Sequence, residues 1–249
     1  MIAQSLKWCQ PPSRTDLRDG DIHLWKLSLD GNQGLADTFA PMLVDEERER
    51  TARYGCHATR DRFIIGRGLL RTILADYLSQ KPDKIEFAVN QSGKPILRDS
   101  SAVHFNVSHS SDLIIIAVTN IAEVGVDVEK IRPFSNEMGL ADRYFSPREC
   151  ETLRRLGPEE RTTAFFHAWT RKEACLKAMG VGLSYGLDRV EVSLHPEEPT
   201  RLLRIDGEEN HAYPWTLISL SPSPGYVGAL AVKSRECRLI GWNWPESTC

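Results

Sequence analysis

The chain has 249 residues, which suits one large domain or two smaller fused ones and is long enough to bury a core. Apolar residues make up 41% and charged residues 26%, as in ordinary globular proteins, and the formal net charge is -3. This charge excludes bulk attraction to nucleic acid, so an anion site must come from a local cluster of Lys and Arg.

The sequence carries no signal for export or for a membrane. The longest apolar run, Leu113 to Val118, is too short to cross a bilayer, and the first residues lack a charged and then apolar leader. The six cysteines form no C-x-x-C pair. We therefore expect reduced thiols and a cytoplasmic protein without a membrane partner.

Strands and helices are predicted in irregular order. In chain order the patterns predict a strand over 22–29, helices over 45–54 and 60–78, a strand over 84–89, a turn over 90–95, strands over 103–108, 113–119 and 123–130, helices over 146–156 and 158–179, and strands over 190–194, 215–220, 226–232 and 239–244. Because regular β-α-β alternation is missing, the predicted class is α+β. We place the boundary between an N-terminal half, 1–120, and a C-terminal half, 121–249, near residue 120.

The segment GVDVE, residues 125–129, places Asp127 and Glu129 on one face of a predicted strand. Two acids on a partly buried face repel each other and lose hydration, and a cation between them relieves both costs. Magnesium prefers carboxylate oxygens and completes its shell with water and phosphate. The segment alone fits a magnesium site and an amphipathic edge strand with two solvated acids equally well.

The predicted helix from Phe165 to Met179 carries Glu173 and Lys177, which are four residues apart and so are neighbours on its surface. An exposed ion pair, worth about 0.3–0.5 kcal/mol, is the commoner explanation of such a pair. Lys172 falls inside the apolar arc of this helix, where a lysine must extend its ammonium group to the surface or serve a phosphate. A metal–diphosphate site needs a third carboxylate beside a lysine, and Glu173 has that position.

The segment FNVSHSS, residues 105–111, brings Ser108, His109 and Ser110 to the turn at the end of a predicted strand. These groups can bind phosphate oxygens, although a polar hairpin turn has the same composition. A nucleophilic serine fits poorly because the G-x-S-x-G elbow is missing and His109 directly follows Ser108. Basic residues that suit phosphate binding, although most helical arginines near glutamates are solvated, are Arg48, Arg50, Arg53, Arg60, Arg62, Arg67 and Lys94.

Four segments, taken in order, resemble the Sfp-type 4′-phosphopantetheinyl transferases. They are residues 93–95 (GKP), 105–110 (FNVSHS), 125–129 (GVDVE) and 169–177 (WTRKEACLK). The resemblance covers residues from about 45 to about 190. The Asp-x-Glu and W-x-x-K-E-x-x-x-K motifs are specific together, although each alone is weak.

The resemblance implies two similar, pseudo-symmetric α+β halves with a coenzyme A cleft between them, acting as a monomer. It implies that Asp127, Glu129 and Glu173 hold Mg²⁺, or Mn²⁺ as an alternative, together with the diphosphate. The residues it implies in binding coenzyme A are Lys94, Pro95, Ser108, His109, Arg50, Arg53, Arg62, Lys172 and Lys177. Position 47 carries a glutamate where another base would suit a phosphate site.

The implied reaction moves the 4′-phosphopantetheine arm of coenzyme A to a serine of an apo acyl or peptidyl carrier protein and releases adenosine 3′,5′-bisphosphate. Magnesium and Lys177 would stabilise the charge that builds on the diphosphate. Glu173 is the candidate base and Glu129 the runner-up. The expected partner is a carrier protein of fatty acid, polyketide or nonribosomal peptide synthesis, and residues 134–144 form a candidate docking segment.

Two other functions fit part of the pattern. A magnesium-dependent phosphodiesterase or nuclease could use the same three acids, but cleavage of nucleic acid favours a broader basic face than this chain carries. A coenzyme A-binding or carrier-binding module that has lost catalysis would not need a carboxylate at all three positions.

Overall fold

The structure is a computed structural model that describes residues 6–30, 34–99, 102–134, 136–195, 198–209 and 215–244. Its α-helices are α1 (Leu35–Phe39), α2 (Asp45–Ala52), α3 (His57–Leu78), α4 (Glu137–Tyr144), α5 (Pro147–Arg155) and α6 (Pro158–Met179). Its strands are β1 (Trp8–Cys9), β2 (Asp21–Ser28), β3 (Phe87–Val89), β4 (Pro95–Leu97), β5 (His104–Ser110), β6 (Leu113–Thr119), β7 (Val124–Lys130), β8 (Val190–Val192), β9 (Leu202–Ile205), β10 (Glu208–Glu209), β11 (Thr216–Leu220), β12 (Tyr226–Val232) and β13 (Arg238–Asn243). The predicted α+β class is confirmed.

Local signals at the helix ends explain why the predicted boundaries hold to within a few residues. At the start of α5, the Ser146 hydroxyl accepts the N–H of Glu149 at 3.3 Å, and the Glu149 carboxylate accepts the N–H of Ser146 at 2.8 Å. This reciprocal capping box satisfies two N–H groups that the helix leaves unpaired. α6 ends at Gly180, whose φ of 70° is a left-handed conformation that favours glycine.

The first sheet has five strands in the order β1-β13-β2-β6-β5. β13 runs parallel to β1 and β2, whereas β6 is antiparallel to β2 and β5. One face of this sheet, including Trp25 and Ile116, packs in one core with the apolar side of α3. The other face, including Leu24 and Ile115, packs against β7.

The second sheet has three strands in the order β11-β12-β7 and is antiparallel throughout. α6 covers the face of this sheet that points away from the first sheet, in a core that includes Cys175 and Ala229. β7 therefore lies between α6 on one side and the first sheet on the other. Similarity between the two halves, and a coenzyme A cleft between them, stay predictions.

No helix within the described ranges is both long enough and apolar enough to cross a bilayer. The short strands β8, β9 and β10 form a further sheet, and β3 pairs with β4 in a hairpin. In that hairpin the Asn90 carboxamide oxygen accepts the N–H groups of Ser92 and Lys94, each at 2.9 Å. The predicted turn chemistry of residues 90–95 is confirmed.

Candidate active site

Side chains of β5, rather than a backbone ladder, join the first sheet to β7. From Asn106 onward, every second residue of β5 points to β7 and accepts one of its backbone N–H groups. The pairs are Val126 N–H to Asn106 Oδ1 at 2.9 Å, Val128 N–H to Ser108 Oγ at 3.3 Å, and Lys130 N–H to Ser110 Oγ at 3.1 Å. This register sets the two acids of β7 opposite the two serines.

Asp127 is a buried acid with one paired and one unpaired oxygen. Its side chain is held at Oδ1 by the Ser108 hydroxyl at 2.8 Å and by the Lys177 ammonium at 2.7 Å. Its other oxygen, Oδ2, is buried and has no hydrogen-bond partner among the described residues. A buried carboxylate oxygen without a partner is costly, so this atom indicates a missing donor or cation.

Gly125 determines how closely α6 approaches β7. A Cβ atom at this position would lie 2.0 Å from the carbonyl oxygen of Ala174 and 2.4 Å from the nitrogen of Ala178. Only a residue without a side chain permits this packing. The close contact brings Glu173 and Lys177, on the same helix, over Asp127.

The electrostatics of Glu129 and Glu173 show that the three acids influence one another. Ser110 donates a hydrogen bond to Glu129 at 2.6 Å, while burial and then the charge of Asp127 raise the pKa of Glu129. Burial, followed by the charges of Asp127 and Glu129, raises the pKa of Glu173 to about 7, although Lys177 opposes the shift. The acids from the strand and the helix therefore share one site.

A divalent cation fits this donor set, although the side chains do not form a finished metal site. No group of three His, Cys, Asp or Glu side chains in the described ranges could hold a metal ion as it stands. The ammonium of Lys177 already pairs with Oδ1 of Asp127, one of the carboxylate oxygens that a cation would need. The unpaired Oδ2 of Asp127 and the raised pKa of Glu173 are what carboxylate ligands show before a cation neutralises them.

Lys172 does not reach the site, and the expectation that it binds phosphate is wrong. Its side chain is 0% exposed and its ammonium lies 2.6 Å from the carboxylate of Glu149. It also donates to the carbonyl oxygens of Leu187, at 3.0 Å, and Val190. Burial lowers the pKa of Lys172, and Glu149 opposes this shift. Lys172 is a core residue that ties α6 to α5.

Lys94 and His109 lie near the strands of the site but away from its acids. The ammonium of Lys94 lies 2.6 Å from the Glu123 carboxylate and 3.1 Å from the carbonyl oxygen of Val124, at the start of β7. Hydrogen bonds from His104 and Lys94 lower the pKa of Glu123 to about 2. His109 is exposed, and as a neighbour of Ser108 in a strand it points to the opposite face.

A cavity of about 970 Å³ lies between α2, α3 and the β3–β4 hairpin. Arg50, Arg53 and Pro95 line it, whereas Arg62 is exposed on α3 and does not. The described residues of its lining include neither Asp127 nor Glu173. The β3–β4 hairpin links the cavity to the strand that carries the acids, because Pro95 lines the cavity and the preceding residue, Lys94, bonds to the start of β7.

Arg67 is a candidate site residue that the motifs did not single out. It lines the same cavity, packs its guanidinium over Phe87 at 4.6 Å, and has a buried Nη1 atom without a partner among the described residues. The signal in the sequence is an arginine within the apolar part of the predicted helix 60–78.

Glu47, at the position where a basic residue would suit a phosphate site, has a structural role. Its carboxylate accepts two hydrogen bonds from Arg71, at 2.8 and 3.0 Å, and lies 3.3 Å from Arg67. It also accepts the N–H of Val44 at 3.1 Å, which caps α2. Glu47 thus fixes α2 against α3 and holds the arginines in place.

Comparison with known proteins identifies the family of the chain. Residues 35–121 match a family model described as "4′-phosphopantetheinyl transferase, N-terminal", and residues 123–231 match one described as "4′-phosphopantetheinyl transferase superfamily". The 4′-phosphopantetheinyl transferase HetI of Nostoc sp. is 39% identical over 238 residues, covering 94% of this chain and 95% of that protein.

Relatives from a second group of bacteria match in the same way. The 4′-phosphopantetheinyl transferase Sfp of Bacillus subtilis is 31% identical over 194 residues, covering 78% of this chain and 84% of that protein. The 4′-phosphopantetheinyl transferase psf-1 of Bacillus pumilus is 32% identical over 193 residues, covering 78% and 80%. The chain therefore belongs to the 4′-phosphopantetheinyl transferase superfamily.

Proposed function

We propose that this site transfers the 4′-phosphopantetheine moiety of coenzyme A to a serine of a carrier protein, with a magnesium ion held by Asp127, Glu129 and Glu173. Transferase activity follows from membership of the family. The observation that carries the assignment to these residues is the unpaired, buried Oδ2 of Asp127 beside a glutamate with a pKa of about 7. Manganese accepts the same oxygen donors and is the alternative metal.

In the proposed reaction, the carrier serine hydroxyl attacks the phosphorus that bears pantetheine, and adenosine 3′,5′-bisphosphate leaves. Bound magnesium would supply positive charge where the diphosphate oxygens become more negative. Lys177 lies 2.7 Å from Asp127 and is part-exposed, so its ammonium can turn to a phosphate oxygen and stabilise the same charge.

Glu173 is the proposed base for the serine proton, directly or through a water molecule. A carboxylate with a pKa of about 7 is half ionised near neutral pH and accepts a proton more readily than an ordinary glutamate. Glu129 is the alternative base, because burial also raises its pKa. Ser108 positions Asp127 and Ser110 positions Glu129 through hydrogen bonds, and both hydroxyls would meet the phosphates from the side of β5.

The nucleotide end of coenzyme A is proposed to occupy the 970 Å³ cavity. Arg50, Arg53 and Arg67 line it and offer guanidinium groups, which bind phosphates by charge-assisted hydrogen bonds. Arg67→Gln should raise the KM for coenzyme A at an unchanged kcat, because the substitution removes a ground-state contact. An unchanged KM would place the nucleotide elsewhere.

We further propose that the chain acts as a cytoplasmic monomer on acyl or peptidyl carrier proteins. α4 and the residues before it remain the proposed docking segment. Phe134 itself packs against Phe165 and Phe166, at ring-centroid distances of 5.2 and 5.7 Å, so docking would use the exposed side of α4 instead.

The test is intact mass spectrometry of apo carrier proteins incubated with coenzyme A, magnesium and the chain. We expect a gain of one phosphopantetheine, and Asp127→Asn should slow it more than about a hundredfold because the metal site loses a charge. Asp206→Asn is the matched control, since Asp206 lies in an exposed turn with φ of 53°, a conformation that asparagine tolerates. Retained magnesium-dependent transfer by the Asp127 variant would contradict the site.

A parallel incubation without carrier protein separates the rival enzyme class. A phosphodiesterase would consume coenzyme A in both incubations, whereas a transferase consumes it only with carrier protein. Binding of coenzyme A with no turnover in either incubation would instead indicate a module that has lost catalysis.

A further inference from the structure

The tip of the β3–β4 hairpin is fastened to the C-terminal end of α6, the helix that carries Glu173 and Lys177. The carboxamide nitrogen of Asn90, in the turn of the hairpin, donates a hydrogen bond to the carbonyl oxygen of Gly180 at 2.7 Å. Gly180 is the residue at which α6 ends, and its own N–H bonds back to the carbonyl oxygen of Lys177 at 3.2 Å. The bond from Asn90 therefore holds the helical turn that carries Lys177.

The orientation of the Asn90 carboxamide follows from its own turn. Its oxygen accepts the N–H groups of Ser92 and Lys94, each at 2.9 Å, and the carboxamide nitrogen could not accept them. The nitrogen must therefore point away from the turn, towards an acceptor, and the Gly180 carbonyl oxygen is that acceptor. Asn90 thus has two separate roles, because its oxygen shapes the turn and its nitrogen holds α6.

The hairpin is attached to both elements that supply the acids. At α6 the contact is close, because a Cβ atom on Gly180 would lie only 3.1 Å from the Asn90 nitrogen. At β7, the ammonium of Lys94 pairs with Glu123 at 2.6 Å and accepts no freedom there, since the Lys94 side chain is only 8% exposed. The two attachments fix the hairpin relative to the strand and the helix of the candidate active site.

The same hairpin forms a wall of the 970 Å³ cavity, through residues that include Val89 and Pro95. In the proposed function, one coenzyme A molecule has its nucleotide end in this cavity and its diphosphate beside Lys177. The attachments of the hairpin then set the spacing between two places that one substrate occupies at the same time. A fixed spacing allows binding at the remote end of a substrate to position its reacting end.

We propose that Asn90 is a positioning residue for transfer, which holds Lys177 at a fixed distance from the cavity through its bond to Gly180. This role rests on the proposed function, because it uses the same placement of coenzyme A. When the bond is lost, we expect the nucleotide end of coenzyme A to accelerate transfer less, since its binding no longer places the diphosphate against Lys177.

The test compares two donors, coenzyme A and the methyl diphosphate ester of pantetheine, which has the diphosphate but no adenosine. Asn90→Asp is the main variant, because its carboxylate still accepts the two N–H groups of the turn but cannot donate to Gly180. We expect the ratio of kcat/KM for coenzyme A to kcat/KM for the short donor to fall about tenfold in this variant. The short donor occupies only the diphosphate site and gains nothing from the spacing.

Gln91→Glu is the matched control, since it adds the same negative charge at the neighbouring exposed position and leaves the bond to Gly180 in place. Its donor ratio should remain that of the parent chain. An unchanged ratio in Asn90→Asp, or equal losses with both donors, as a merely destabilised fold would give, would overturn the proposal. A parent chain that transfers from neither donor would contradict the proposed function itself.

A second variant keeps the test decisive if melting curves show that Asn90→Asp does not fold. Asn90→Ser retains a hydroxyl that can accept an N–H group of the turn, carries no charge, and is too short to reach Gly180. We expect the donor ratio to fall in this variant as well. An unchanged ratio in a folded Asn90→Ser protein would contradict the proposal.

Discussion

The ammonium group of Lys177 lies 2.7 Å from Oδ1 of Asp127 and leaves the second oxygen of that carboxylate unpaired in the described part of the chain. Glu129 and Glu173 add two more acids to the same site. Three carboxylates and one ammonium carry two negative charges when all are ionised, which equals the charge that a divalent cation neutralises. The lysine offsets part of this charge, and at the proposed metal site a bound cation would free its ammonium for a phosphate.

Replacing Glu173 should stabilise the metal-free protein at alkaline pH. The folded-state pKa of about 7 exceeds the ordinary 4.5, so the folded chain binds more protons between these values and loses stability as pH rises through them. With a chelator present, we expect Glu173→Gln to raise the free energy of unfolding above pH 7 by roughly 1–3 kcal/mol, after allowance for partial exposure, and to change nothing below about pH 4.5.

Urea unfolding at several pH values measures this difference. Glu151→Gln, at an exposed position of α5, is the control and should show no such pH dependence. A constant difference between Glu173→Gln and the parent chain across the pH range would mean that burial and the charges of Asp127 and Glu129 do not raise the pKa of Glu173.

The pH dependence of transfer should respond to the metal concentration. At limiting magnesium, kcat/KM should rise with pH through about 7, because the proton on Glu173 must leave before the carboxylate can bind a cation or accept a proton. At saturating magnesium the rising limb should move to lower pH, since the cation favours the ionised form. If the rise of kcat/KM occurs at the same pH at every magnesium concentration, Glu173 is not a ligand of the metal.

Gly125→Ala should damage both stability and transfer. The added methyl group would meet the backbone of Ala174 and Ala178, so α6 must move away from β7. We expect a loss of about 1–3 kcal/mol in the free energy of unfolding and a lower kcat, because Glu173 and Lys177 move with the helix. Gly55→Ala, where no atom lies within 4 Å of the added carbon, should leave both nearly unchanged.

Lys172→Met should destabilise the fold without weakening coenzyme A binding. The substitution leaves the buried carboxylate of Glu149 without its cation, which costs about 3–5 kcal/mol. The double variant with Glu149→Gln should recover much of that loss, since it removes the stranded charge. A raised KM for coenzyme A in either variant, at unchanged stability, would restore the original phosphate-binding interpretation of Lys172.

The sequence predicted most elements because their signals are local. The Ser146-Pro147 start of α5 and the Gly180 end of α6 depend on groups within a few residues. Lys172 shows the limit of such reasoning, since its position on a helical wheel was read correctly but the buried partner, Glu149, comes from another helix. Arg67 was named only in the general list of basic residues and not as a coenzyme A contact, because its cavity forms only when α2, α3 and the hairpin meet.

The predicted boundary near residue 120 also rested on local patterns. The last strand, β13, belongs to the C-terminal half of the sequence but lies in the first sheet, whose other strands come from the N-terminal half. β13 has an ordinary strand pattern, and no motif in it indicates that it lies between β1 and β2. The order of strands in a sheet depends on which strand edges are unpaired when the other strands have formed. The alternation of apolar and polar side chains along one strand does not encode this order.

The place of β13 makes the two halves of the chain, 1–120 and 121–249, poor candidates for separate expression. A piece ending near residue 120 would lack the strand that lies between β1 and β2, so β1 would have no neighbour in its sheet. β2 would become a long, apolar, open edge that invites other chains to pair with it. Limited proteolysis between the halves should therefore yield a nicked but associated molecule, whereas the recombinant first piece alone should aggregate.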